Sequence, residues 1–152
     1  MRTRIVLAVV GALIVSGSVV SADPDAWMNP PAAPGGTAES KVNEGFALAK
    51  KGDWPGAEGA FRAAIRLRAE FPEAWNGLGH ALRNQKRYDE SVKSYQEALR
   101  LRPTYPQALE YLGEAYIQMG KLEDAKAVLE RLRSLDPREA NELAEAIGEA
   151  RK

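Results

Sequence analysis

The sequence predicts an all-α fold built as an array of antiparallel helix hairpins. Three observations carry this. First, the stretch from Pro72 to Tyr105 holds two amphipathic patterns, broken near Lys86-Arg87. Trp75, Leu78 and Leu82 recur at helical spacing in the first, and Tyr88, Val92, Tyr95, Ala98 and Leu99 in the second. Second, a shift of 34 residues lays Trp75, Leu78, Gly79 and Leu82 on Leu109, Leu112, Gly113 and Tyr116. The same shift lays Ser91, Tyr95, Ala98, Leu101 and Pro103 on Ala125, Leu129, Leu132, Leu135 and Pro137. Physical class recurs at each packing position, which marks an internal repeat of two-helix length. Third, the punctuation recurs. Pro103 stops a helix because it lacks an N–H and disfavours α geometry at Arg102, while Gly79 and Ala98 fall where two helices approach closely.

Residues 1–22 read as a secretory signal peptide. Arg2 and Arg4 precede an apolar run, and Val20-Ser21-Ala22 fits a small-residue cleavage rule, giving a mature start at Asp23. The competing reading is an uncleaved N-terminal anchor, although the run from Ile5 to Val20 is short for a spanning helix, which needs about 20 residues. Residues 23–37 are rich in Pro and Gly and read as a linker, with Trp27 and Met28 unusual for a spacer. Residues 38–71 form a degenerate first repeat. Gly45, Leu48, Gly52, Ala57, Phe61, Ala64 and Leu67 keep the register, while Lys41 and Glu44 replace apolar residues and Ala69 stands in place of Pro. Asp53 is placed to cap the second helix of this pair, with Pro55 in its first turn. Residues 72–105 and 106–139 are the second and third repeats. Gly52 and Gly120 permit tight turns, whereas Lys86 at the equivalent position predicts a turn built differently. The chain closes on a capping helix over 140–152, started by Asp136-Pro137 with Glu139 placed to reach back to the cap. Leu143, Ala144 and Ile147 form its apolar stripe, and Glu142, Glu145 and Glu149 face away.

The pattern W-x2-L-G-x2-Y followed by A-x3-F and a closing Pro is that of the tetratricopeptide (TPR) repeat, which 72–105 and 106–139 closely resemble. The resemblance implies a right-handed superhelix, an α-solenoid, whose concave groove holds a protein ligand. In the family, ligand contacts come from positions 2, 5, 9, 12 and 13 of each repeat's first helix. On this chain those are Glu39, Val42, Phe46, Ala49 and Lys50; then Glu73, Asn76, His80, Arg83 and Asn84; then Gln107, Glu110, Glu114, Ile117 and Gln118. The expected groove, carried by Val42, Phe46, Lys50, Asn76, His80, Arg83, Asn84, Gln107, Glu110, Glu114 and Gln118, runs from apolar through polar-basic to acidic. TPRs that hold chaperone C-terminal carboxylates use a Lys, Asn, Asn, Lys, Arg clamp. Val42, Phe46, Gly77, Gln107 and Tyr111 stand at those positions and none matches.

No catalytic set is visible. There is one histidine, His80, and no cysteine, so disulfides and thiol chemistry are excluded and no cofactor or metal is expected. Asp89-Glu90 and Glu123-Asp124 fall in the first turns of second helices, where they complement the helix dipole. The formal net charge is zero, which gives no general attraction to nucleic acid or anionic membrane. The sequence therefore predicts a non-catalytic, exported, periplasmic scaffold that binds a peptide or helix of a bacterial envelope protein. A self-assembling or membrane-anchored structural subunit is the alternative, with membrane contact only if residues 1–22 are retained.

Overall fold

The computed structural model describes residues 36–151. The expected leader, its cleavage point and the linker with Trp27 and Met28 fall outside the described residues. Seven helices follow: α1 (Ala38–Lys50), α2 (Trp54–Leu67), α3 (Pro72–Asn84), α4 (Tyr88–Leu101), α5 (Pro106–Gln118), α6 (Leu122–Arg133) and α7 (Pro137–Glu149). Among the described residues there is no strand.

Local chemistry sets the boundaries. Thr37 Oγ1 accepts from the Ser40 N–H at 3.1 Å, Asp53 Oδ1 from the Gly56 N–H at 3.0 Å, and Asp136 Oδ1 from the N–H groups of Arg138 and Glu139 at 3.0 and 3.2 Å. These side chains satisfy donors that a helix start leaves open. Pro72, Pro106 and Pro137 each open a helix, where their missing N–H removes nothing. The last helix thus begins inside the stretch assigned to the third repeat.

The three hairpin turns are built alike, which corrects the expectation for Lys86. Gly52, Lys86 and Gly120 all take positive φ, at 78°, 62° and 71°. The next N–H then closes on an equivalent carbonyl: Asp53 on Leu48 at 3.0 Å, Arg87 on Leu82 at 3.0 Å, and Lys121 on Tyr116 at 2.8 Å. Capping the carbonyls at the helix end outweighs the strain of about 1 kcal/mol that Lys86 carries in a left-handed conformation.

Packing follows the repeat. Phe61 is wedged between α1 and α3 because Gly45 and Gly77 leave room for its ring; a Cβ at Gly45 would lie 2.6 Å from it. Tyr95 packs in the same way over Gly79. One core cluster is centred on Phe61, Leu78 and Leu82. The other runs from Val92 and Tyr95 through Leu109, Leu112 and Leu132 to Leu143 and Ile147. Trp75 touches both, with its indole N–H donating to the Ala69 carbonyl at 2.8 Å.

Helices α1, α3, α5 and α7 approach one another closely in series, whereas the backbones of α2, α4 and α6 stay apart and α2 meets α4 only through long side chains such as Arg62 and Glu90, at 3.8 Å. The array therefore curves toward the first set and splays on the second. A notch of about 350 Å³, floored by Leu99, Leu112 and Val128, opens on the splayed side between α4 and α6. No helix among the described residues is long and apolar enough to cross a membrane.

Candidate ligand groove

The inner layer repeats its positions every 34 residues, so equivalent side chains form rows across α1, α3 and α5. One row is Val42, Asn76 and Glu110; the next is Phe46, His80 and Glu114; the edge row is Lys50, Asn84 and Gln118. Their accessibilities differ. Phe46 is 42% exposed, a high value for so large an apolar side chain, and it meets the buried Phe61 edge-on at 5.1 Å. Lys50, Asn84, Gln107 and Gln118 are exposed, and His80, Arg83, Glu110 and Glu114 are half-buried. Val42 and Asn76 are buried, so neither presents a free side chain to the groove in this conformation.

Three of the donors expected in the middle are already engaged. Arg83 is ion-paired with Glu114 and lies over the Tyr111 ring at 5.2 Å. The Asn84 amide donates to the His80 carbonyl at 2.9 Å, within its own helix. Asn76 Nδ2 donates to Gln107 Oε1 at 3.3 Å, while Asn76 Oδ1 has no partner. A small pocket of about 200 Å³ remains between α3, α5 and α7, lined by Arg83, Glu114, Ile117, Gln118 and Ala146.

The repeat explains why Gln107 is available. Arg68 pairs with Glu39 at 2.6 Å, and Arg102 pairs with Glu73 one repeat later. In the third repeat the equivalent residues are Asp136 and Gln107, and the ladder ends. Gln107 turns instead to Asn76 and to the Tyr111 hydroxyl at 3.3 Å.

Four residues of the groove were not assigned from sequence. Trp54 and Tyr111 sandwich His80, the first edge-on at 5.3 Å and the second stacked at 5.2 Å. Burial, reinforced by the Arg83 charge, pushes the His80 pKa down, so the imidazole is neutral at neutral pH. Glu139 and Glu142 bring carboxylate oxygens within 4.8 Å of those of Glu110 and of each other. Glu139 thus joins the groove cluster, and Glu142, expected to face away, turns back toward α5. Burial first, then the negative charge of Glu139, a proton shared with it, and Glu142 push the Glu110 carboxyl up to about 7, against an opposing effect of Arg83. Arg83 is ion-paired with Glu114, and Arg138 pairs with Glu142 at 3.3 Å. With one oxygen from each, the three carboxylates give fewer ligands than the roughly six to eight oxygens that a calcium site takes.

A helical repeat array with a curved inner layer and partly exposed aromatic and acidic rows defines the class of this protein. Two family models, both described as tetratricopeptide repeat, match residues 43–106 and 82–149, and the chain belongs to that family. No curated protein sequence matches it. Among solved structures it is similar to the TPR2B domain of yeast Sti1 in complex with an Hsp70 peptide, at 22% identity and TM-score 0.71, covering 74% of this chain and 96% of that one. It is also similar to the first TPR of Spaghetti (RPAP3) bound to the HSP90 peptide SRMEEVD, at 24% identity and TM-score 0.70, covering 76% and 94%. A third is the type III secretion chaperone SycD of Yersinia enterocolitica with a peptide of the translocator YopD, at 20% identity and TM-score 0.67, covering 75% and 94%.

Proposed function

We propose that this chain is an exported, non-catalytic scaffold of the bacterial envelope that holds a segment of a partner protein in the groove of α1, α3, α5 and α7. The observation that carries the reading is the inner layer itself. It leaves Phe46 exposed at one end and a cluster of three carboxylates, two of them half-buried, at the other. The similar structures hold peptides, which supports a peptide-like occupant. The acidic peptide SRMEEVD held by one of them is a poor model for this ligand. No basic residue stands at the clamp positions here, and Val42 and Gly77 among them are buried. The apolar run at residues 5–20 supports export.

The test is capture from the exported fraction of the native cell, using the full chain and a Phe46→Ser, Lys50→Ser, Gln118→Ser variant as baits. All three positions are exposed, so circular dichroism is expected to show equal helicity. A partner lost by the variant supports the groove. A partner held equally by both places the site elsewhere, and concentration-dependent size without a partner favours self-assembly. The mass of the secreted N-terminus tests export: a start at Asp23 supports cleavage, and a start at Met1 contradicts it.

A further inference from the structure

We infer that the groove selects an extended segment carrying an aromatic or large apolar side chain about five or six residues from a lysine or arginine, the apolar group lying on Phe46 and the basic group on Glu110, Glu139 and Glu142. The inference rests on the groove reading above and names the chemistry of its occupant.

Charge complementarity gives the basic end. Three carboxylates converge beside the inner layer, and the two neighbouring arginines offset them only in part: Arg83 pairs with Glu114 and acts on Glu110 at longer range, and Arg138 pairs with Glu142, at 3.3 Å. A guanidinium or ammonium group with several donors matches such a cluster, and charge-assisted hydrogen bonds are the strong ones. An acidic segment would add a like charge to it.

An independent feature lies between the two ends. Asn76 is 1% exposed and its Oδ1 has no partner. A buried acceptor left open carries a desolvation cost that a donor relieves. Against it lie Gln107, an exposed side chain held by two long bonds of 3.3 Å, and the half-buried Tyr105, whose hydroxyl is in reach of the same amide group. When Gln107 swings aside, Asn76 meets a backbone N–H of an extended chain midway between Phe46 and Glu110.

Geometry gives the spacing. Packed helices lie about 8–10 Å apart, so α1 and α5 are separated by about 16–20 Å. An extended chain covers that in about five or six residues, whereas a helix needs about eleven to thirteen.

The experiment is selection of peptides of about 12 residues from a random library on the full chain, retaining only those lost on the Phe46→Ser variant. Enrichment of Lys or Arg about five or six residues from an aromatic supports the inference. A retained peptide is then expected to bind about tenfold more weakly when its basic residue becomes norleucine. Glu110→Gln with Glu142→Gln is expected to abolish that difference. These substitutions remove repulsion, so the variant remains folded. Peptides that depend on Phe46 but are acidic, or show no basic preference, overturn this inference and leave the groove reading standing. Enrichment at helical spacing overturns the extended occupant. The absence of any peptide that depends on Phe46 overturns both readings.

Discussion

The two ends of the groove share one backbone plan and differ in what they present. At the α1 end, an exposed phenyl ring rests on the buried Phe61, and the edge carries Lys50. At the α5–α7 end, the equivalent rows carry Glu114 and Glu110, and a seventh helix adds two more carboxylates. The turns beneath are the same in kind, and each end keeps a glycine close under a large apolar side chain, Gly45 under Phe61 and Gly113 under Leu143 of α7. The repeat therefore constrains what packs and leaves the inner-layer rows free to differ, and ligand chemistry is written in that difference.

Packing positions are the place to break the comparison. Phe61→Ala removes the ring shared by α1 and α3, with an expected loss of about 3–5 kcal/mol in urea unfolding. Phe46→Ser, one ring away, is expected to change stability by less than about 1 kcal/mol in the same measurement. A large loss from Phe46→Ser would make that residue structural rather than ligand-facing. Gly77→Ala sets a methyl group against the Phe61 ring and is expected to cost about 1–3 kcal/mol.

A pH series sharpens the acidic end. The groups facing Glu110 are Glu139 and Glu142 on α7, Arg83 on α3 and the buried Tyr95 hydroxyl on α4. Its folded pKa, about 7, lies above the ordinary value of 4.5. The charged form therefore weighs on the fold progressively from pH 4.5 to 7, fully above 7 and not below 4.5. Glu110→Gln is expected to stabilise by about 1–2 kcal/mol at pH 8, after allowance for solvent screening, and to be near neutral at pH 4. Equal effects at both pH values would mean that the carboxyl is not repelled. The smallest expected effect is Lys86→Gly, a gain of about 0.5–1 kcal/mol from relief of the left-handed conformation, read as a small rise in Tm.

Much of the fold is legible in the residues because each rule is local or periodic. Asp53, Asp136 and the helix-opening prolines mark the starts, and the 34-residue register places Phe61 and Tyr95. Lys86 misleads because residue identity argues against positive φ, while the hydrogen bonds of the turn, which depend on both helices, decide it. The groove was legible as a set of rows but not as a set of free groups. Asn76 and Arg83 find partners one repeat away, a relation that a single helix pattern does not contain. Glu142 faces away on a wheel of α7 alone, yet α7 packs against both α5 and α6, and its flank returns to the inner layer. Trp54 lies outside the positions carried over from the family and Tyr111 enters only as a clamp position without the clamp residue, and only the stacking of three hairpins brings them to His80.

The most direct measurement is a backbone amide NMR titration of the full chain with a peptide carrying Phe and Arg about five residues apart. Shifts confined to α1, α3, α5 and α7, including Phe46, Gln107 and Glu110, are the expected result. Shifts concentrated at the notch of Leu99, Leu112 and Val128 would contradict it, because the ligand would then sit on the splayed side.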